Sequence, residues 1–195
     1  MAKSNKVPDF NKIAEKLIKN SSRYAASESV KFFKESFVKG GFTDTSFEAW
    51  VKSKNPLAGN KTMYNKGNLM QSIRKVSATT EKIIIESQIP YSEIHNEGGT
   101  ITVTEQMKKF FWSKYYEFSQ KTSRTKKGEQ RKTQSNRKLN SKAEFCKAMA
   151  LMKVGSKIKI PKRQFMGHSQ TMMLQFDEFL RMESEKLFKE HLNDK

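Results

Sequence analysis

The stretch LMQSIRKVSATTEKIIIES, residues 69–87, decides the fold class of this 195-residue chain. Leu69–Ser77 and Glu81–Ser87 are interpreted as two strands, because the second run carries three consecutive isoleucines and β-branched side chains favour strands. The residues between them, Ala78-Thr79-Thr80, are few enough for a hairpin turn. The middle of the chain is therefore predicted to hold an antiparallel pair of strands.

A long helix is predicted before this hairpin, over residues 9–39, where apolar residues recur at helical spacing. Gly40-Gly41 ends it, because glycine adopts the left-handed conformation of a helix C-terminus without strain. The apolar stripe of the second half is displaced by roughly 165° from that of the first half, at about 100° per residue. Two interpretations stay open: the helix breaks near Asn20-Ser21-Ser22, or one long helix contacts different partners along its length, another subunit among them.

The other segments add further helices and short strands. Residues 42–68 are interpreted as a loop with little regular structure, since they combine Trp50 with many turn-forming residues. Apolar periodicity predicts strands at 100–104 and 157–160, and helices at 105–118, at 142–152 and from Ser169 to about His191. This order predicts an α+β fold, in which a small, mostly antiparallel sheet packs against several helices and the N-terminal and C-terminal helices are long. We expect a single domain over residues 1–195.

Residues 121–142 differ in composition from the rest of the chain. They hold nine basic residues and one acidic residue, and Leu139 is their only sizeable apolar side chain. Such a segment cannot offset an ordering cost of roughly 1–2 kcal/mol per residue. We therefore predict a flexible basic loop, the least buried part of the chain, inserted between body segments at about 9–120 and 142–192 and ordered only against a neighbour. Its candidate contacts with a polyanion or a protein partner are Lys121, Arg124, Lys126, Lys127, Arg131, Lys132, Arg137 and Lys138.

Charge and composition narrow the classes of function. The chain has 38 lysines and arginines against 20 aspartates and glutamates, a net charge of +18 that favours polyanions or acidic protein surfaces as neighbours. The single cysteine, Cys146, excludes an internal disulfide framework and a multi-cysteine zinc site, and its apolar neighbours predict a core position. Neither a signal peptide nor an apolar run of about 20 residues is present. We expect a soluble, intracellular protein that does not bind membranes.

No residue pattern predicts catalysis, a metal site or a cofactor. His95 lies among flexible acidic residues and glycines, whereas a zinc site needs about three ligands at defined spacing. Glycine-rich phosphate-binding motifs are also lacking. His95 is interpreted as a structural residue of a short helix before a glycine turn. We expect that the chain is not an enzyme and uses no cofactor.

Three short segments resemble the phage virion-morphogenesis family, the Mu-like tail completion proteins. The first, KGNLMQSI at 66–73, is similar to a glycine-leucine-serine segment that precedes two strands in the family, and the second, YSEIHNEGG at 91–99, to a segment that follows them. The third, IPKRQFMG at 160–167, is similar to a later segment before the C-terminal helix. The matching residues are Gly67, Asn68, Leu69, Ser72, Ile73, Tyr91, Ile94, His95, Gly98, Gly99, Pro161, Arg163, Phe165 and Gly167. The chain departs from the pattern at Ser92, at Gln164 and in the basic segment.

The resemblance implies a non-enzymatic structural protein of a phage or prophage virion. Such a protein acts in tail completion or head–tail joining, in the host cytoplasm during assembly and then in the virion, at the tail or the head–tail junction. Its implied partners are further copies of itself, in a homo-oligomeric ring that we expect to be a hexamer, and other tail or neck proteins. The high positive charge also suits a position beside packaged DNA. Residual apolar surface on the helices at 9–39 and 105–118 would form the subunit contacts.

A second hypothesis belongs to a different class. The net charge and the basic segment also fit a protein that binds nucleic acid through residues 121–142. The segment lacks interleaved aromatic residues for base stacking, so this binding would not depend on base sequence.

Overall fold

The computed structural model describes residues 9–58 and 61–193. Six helices and six strands lie in this part of the chain. The helices are α1 (Phe10–Lys39), α2 (Asn68–Ser72), α3 (Ser92–Glu97), α4 (Glu105–Gln120), α5 (Gln134–Leu151) and α6 (Gln170–Asn193). The strands are β1 (Gly41–Thr43), β2 (Phe47–Ala49), β3 (Ile73–Ala78), β4 (Ile83–Ser87), β5 (Gly99–Thr102) and β6 (Lys157–Ile160).

Two compact units share these elements, and each is built from separate segments of the chain. The first, here called the terminal-helix unit, takes the described residues up to Trp50, Gly67–Ser92 and those from Gln164 onward. The second, here called the helical-hairpin unit, takes Val51–Lys66 and Glu93–Arg163. The expectation of a single domain stays a prediction.

The α+β fold class is confirmed, with long helices at both ends of the described chain. All strands pair in antiparallel fashion, β1 with β2, β3 with β4, and β5 with β6. Each strand has a single hydrogen-bonded neighbour. The strands therefore form three separate two-stranded sheets, whereas we expected one small sheet.

The long N-terminal helix is continuous, so the second of the two interpretations, a single long helix, is confirmed and the break near Asn20-Ser21-Ser22 is excluded. Asp9 caps its first turn by accepting a hydrogen bond from the backbone N–H of Lys12, and Gly40 ends it in the left-handed region at φ 75°. Along its length α1 contacts α6, β3, β4 and β1. The displaced apolar stripes therefore serve different neighbours within one unit.

Helix α6 packs along α1 through contacts between aromatic rings and hydrogen bonds between polar side chains. Tyr24 stacks on Phe179 with ring centroids 3.8 Å apart, and the amide of Asn20 donates to the buried carboxylate of Glu183 at 2.7 Å. The predicted start of α6 at Ser169 is confirmed, because the Ser169 hydroxyl accepts from the backbone N–H of Met172.

The central hairpin is shorter than predicted at its first strand. Residues 68–72 form the helix α2, so the interpretation of Leu69–Ser72 as strand is wrong. Gly67 turns the chain in the left-handed region at φ 78°, and the Ser72 hydroxyl donates to the carbonyl of Leu69 at 2.7 Å. These local bonds and the burial of Leu69 favour a helical turn before β3 begins.

Residues 41–49 form a second hairpin, where the sequence predicted only a loop. The register pairs Gly41 with Ala49, and a side chain at Gly41 would collide with the carbonyl of Glu48. Strands of three residues are too short to give a periodic signal. Trp50 follows this hairpin, is buried, and donates from Nε1 to the carbonyl of Gln164 at 2.7 Å.

The core of the terminal-helix unit is built around Phe37, which is 1% exposed. Its ring lies 5.1 Å from that of Phe165 and 5.3 Å from that of Trp50, centroid to centroid. Ile73 and Leu187 are fully buried in the same unit. Residues from three separate segments of the chain thus hold this unit together.

The helical-hairpin unit consists mainly of α4 packed against α5, beside the β5–β6 pair. The ring of Phe111 on α4 meets that of Phe145 on α5 with centroids 6.2 Å apart. Cys146 is fully buried, as predicted, and burial raises the pKa of its thiol. Within the described residues, no helix combines the length and the apolar composition needed to cross a bilayer.

Candidate functional site

The first family-like segment forms framework structure in the terminal-helix unit. Leu69 is 5% exposed and Ile73 is fully buried. The hydroxyl of Ser72 lies 2.6 Å from that of Ser87, which ties α2 to the end of β4. These residues hold the central hairpin.

The second and third family-like segments meet in space within the helical-hairpin unit. The backbone N–H of Arg163 donates to the carbonyl of His95 at 2.8 Å. Gly99 pairs with Ile160 at the start of the β5–β6 sheet. At Gly98, where φ is +75°, an added Cβ would lie 2.7 Å from the backbone nitrogen of Lys162. Glycine is therefore required for the two segments to approach this closely.

Arg163 is a buried cation at this meeting point. It is 8% exposed, and its Nε donates to the carbonyl of Val51 at 2.9 Å. Burial lowers the pKa of its guanidinium. The pKa of His95 is also lowered, first by its own partial burial and then by the charge of Arg163.

The remaining residues of the family-like segments differ in burial. Phe165 is 1% exposed in the core of the terminal-helix unit, and Gly167 has φ +140°. Pro161 and Ile94 are half-buried, whereas Tyr91 is 46% exposed. Among the residues that the structure describes, no three histidine, cysteine, aspartate or glutamate side chains converge as metal ligands would.

The basic segment differs from its prediction in secondary structure. The interpretation of all of 121–142 as a loop is wrong for its second half, since α5 begins at Gln134 rather than near Lys142. The hydroxyl of Thr133 accepts a hydrogen bond from the backbone N–H of Asn136 and so caps this helix. A polar helix start without an apolar stripe gives no periodic signal.

The exposure of the basic segment is as predicted through most of its length. Every residue from 123 to 135 is exposed, the longest such run in the described chain. Among residues 121–136 only Thr122 and Asn136 are buried, at 7% and 3% exposure. The loop from Lys121 to Thr133, together with the first turns of α5, is called here the basic tip.

Hydrogen bonds within the basic tip connect its loop to the start of α5. The side-chain oxygen of Asn136 accepts from the backbone N–H and the hydroxyl of Ser123, and its amide nitrogen donates to the carbonyls of Ser123 and Arg131. The backbone N–H of Arg131 also donates to the carbonyl of Ser123 at 3.0 Å. These bonds define one conformation of the loop within the single chain, and the expectation that it becomes ordered only against a neighbour stays a prediction.

The charges of the basic tip are mostly uncompensated. Of its eight predicted contact residues only Lys121 has an ion pair within the described chain, at 2.6 Å to Glu117. Glu117 also pairs with Lys114, and hydrogen bonds from these two lysines lower its pKa to about 2. Arg124 and Arg131 donate to backbone carbonyls, of Gly128 and of Arg124 respectively. Those bonds orient the guanidinium groups without neutralising them.

Asn136 is the residue of this site that sequence reasoning missed. An asparagine three residues after a threonine is a weak helix-start signal, and nothing in the sequence links it to Ser123. Its role depends on the loop conformation that it helps to make.

Comparison with family models, with curated proteins and with solved structures yields no match. The resemblance to the virion-morphogenesis family stays a prediction.

Proposed function

We propose that the chain is a non-enzymatic structural protein of a phage or prophage virion, acting in tail completion or head–tail joining as a homo-oligomeric ring. The observation that carries the proposal is the hydrogen bond between Arg163 and His95. It joins two segments that the sequence resemblance selected independently and that lie far apart along the chain. Segments that a family shares for structural reasons are expected to meet in this way.

Exposed apolar side chains supply surface for subunit contacts. On α6, Met173, Leu174, Leu180, Phe188 and Leu192 are each at least 39% exposed. At about 100° per residue they fall within an arc of about 120°, here called the α6 stripe. Apolar surface grouped in this way favours association with a second copy, because association removes these side chains from water.

The helices expected to form interfaces also expose apolar residues. On α1 these are Phe10, Ile18 and Val38, and on α4 they are Phe110 and Tyr116, which are 50% and 56% exposed. A ring requires two different contact patches on each subunit, because head-to-tail contacts join unlike surfaces. The α6 stripe is the better defined of the candidate patches.

The oligomeric state of the purified protein tests the proposal. Light scattering at high protein concentration should give a mass of six times the 22.6 kDa of one chain. The double variant Leu174→Glu, Leu180→Glu should shift this mass toward that of the monomer, because it places charges in the contact. Met182→Glu is the matched control, since Met182 is 57% exposed on the same helix but lies outside the stripe.

A strict monomer at every concentration, alone and with tail tubes, would contradict the ring. Equal effects of the stripe variant and of the control would contradict the assignment of the contact to α6. Circular dichroism of each variant separates dissociation of the ring from unfolding of the subunit.

A further inference from the structure

We propose that the basic tip binds the phosphate backbone of duplex nucleic acid without selecting base sequence. The inference stands on the geometry of the helical-hairpin unit and does not depend on ring formation. Its first support is charge: seven of the eight candidate cations have no ion pair within the described residues. Clustered, exposed and unneutralised cations attract polyanions through release of counterions.

The second support is that hydrogen bonds cross the loop that carries the cations. Asn136 joins Ser123 to Arg131 across the loop, and the side chain of Gln130 donates to the hydroxyl of Thr122 at 3.3 Å. Binding therefore costs less ordering of the backbone than it would for a flexible segment. Arg124 and Arg131 each use one donor in a backbone hydrogen bond, whereas a guanidinium carries five.

The third support is the character of the surface around the charges. None of the large apolar side chains exposed in the described chain lies between residues 121 and 142. The centre of a protein–protein contact is usually apolar or aromatic, whereas phosphate contacts use cations, hydroxyls, amides and backbone N–H groups. The exposed neighbours of the cations are of the second kind, including Thr125, Gln130 and Ser135. These features favour a nucleic acid over an acidic protein surface.

The start of α5 adds a local electrostatic feature. Its first turn has no acidic residue, and Arg137 and Lys138 follow directly. Cations at a helix N-terminus face the positive end of the helix dipole and destabilise it slightly. A bound phosphate would offset this repulsion, so the cations at the start of α5 favour phosphate binding there.

Fluorescence anisotropy with a labelled DNA duplex of about three helical turns tests the proposal. Titrations between about 50 and 200 mM salt should give a steep dependence of affinity on salt. The test variant replaces by glutamine five exposed cations whose side chains make no hydrogen bond within the described residues: Lys126, Lys127, Lys132, Arg137 and Lys138. Its slope of log K against log salt should be shallower by about 4.5, because each of the five phosphate contacts contributes roughly 0.9 to the slope.

A matched variant controls for net charge. It replaces five exposed lysines elsewhere in the same unit by glutamine, namely Lys52, Lys54, Lys66, Lys109 and Lys153. Its slope should change by less than about 1. The double variant Lys126→Gln, Lys127→Gln should reduce the slope by about 2. It tests the same proposal if the fivefold variant does not fold.

Three results would overturn the inference. The first is failure of the wild-type protein to bind the duplex at the lowest salt. The second is an equal reduction of the slope in both fivefold variants, which would indicate binding by overall charge alone. The third is tighter binding of polyglutamate than of the duplex at equal charge, which would assign the basic tip to an acidic protein instead.

Discussion

At the scale of single residues, Asn136 organises the basic tip. Its one side-chain amide makes four hydrogen bonds to Ser123 and Arg131, and the residue is 3% exposed. Buried polar groups of this kind must be satisfied, and removal of this side chain would take four hydrogen bonds from the basic tip. The order of a strongly basic loop thus depends on an uncharged side chain.

Replacement of Asn136 by alanine tests this role. Asn136→Ala should lower the free energy of unfolding by about 1–3 kcal/mol, because the hydrogen bonds of a buried side chain to Ser123 and Arg131 are lost. Asn140→Ala, which removes one exposed hydrogen bond to Gln130, should cost less than about 1 kcal/mol. Urea unfolding measures both, and hydrogen exchange should show faster exchange at Ser123 and Arg131 only in the first variant. Equal costs would contradict the assignment.

His95 is expected to make stability depend on pH. Its pKa is lowered in the folded chain by partial burial and by Arg163, so the unfolded chain takes up the proton first as pH falls. The free energy of unfolding should therefore fall as pH drops below about 6.5, before the carboxylates titrate. This loss should be complete once pH is below the lowered pKa of the folded state.

The pH dependence is measured by urea unfolding between about pH 7 and pH 5. His95→Gln should flatten the profile in this range, whereas His168→Gln, at an exposed histidine, should leave it as in the wild type. A profile unchanged by His95→Gln would show that its protonation is not linked to folding.

At the scale of secondary-structure elements, close approach of the chain to itself fixes where the strands pair. Gly98 and Gly128 have similar left-handed φ values, of +75° and +83°. A Cβ at Gly98 would meet the backbone of Lys162, whereas a Cβ at Gly128 would meet nothing within 4 Å. Comparison of substitutions at the two positions therefore separates the free-energy cost of the left-handed conformation from the cost of the collision.

The two alanine substitutions should therefore differ in effect. Gly128→Ala should cost about 1–2 kcal/mol for the left-handed conformation alone. Gly98→Ala should cost more than this, because overpacking adds about 1–3 kcal/mol and displaces β6 from β5. Thermal unfolding of both variants checks the order, and an equal shift would mean that the backbone at Lys162 moves freely.

The elements that sequence reasoning predicted are those with a strong periodic pattern. Helix α1, helix α6 and strand β4 follow from apolar spacing or consecutive β-branched residues. The elements that it missed include the short strands β1 and β2, the helix α2 and the first turns of α5. The two strands have only three residues each, and α2 and the start of α5 form through local hydrogen bonds. Their stabilising contacts depend on the folded arrangement, which a pattern of hydrophobicity does not contain.

The candidate sites divide in the same way. The cations of the basic tip are evident from composition alone, and their exposure follows from the lack of apolar neighbours. Asn136 and the contact between His95 and Arg163 were not predictable, because each joins segments whose proximity is set by the fold. Composition therefore indicates the charged residues of the site, whereas the contacts that position them depend on the fold.

At the scale of the whole molecule, the two proposals use different parts of the chain. The α6 stripe belongs to the terminal-helix unit, and the basic tip belongs to the helical-hairpin unit. Loss of one function by substitution should therefore leave the other measurable. A ring subunit with a net charge of +18 would also suit a position close to packaged DNA.

The location of the chain in assembled particles tests the proposed function most directly. Electron microscopy of purified virions or tails, with the chain labelled, should place a ring of copies at the end of the tail or at the head–tail junction. Particles assembled without the chain should have incomplete tails or unjoined heads. Absence of the chain from virions and tails, with normal assembly without it, would contradict the proposal.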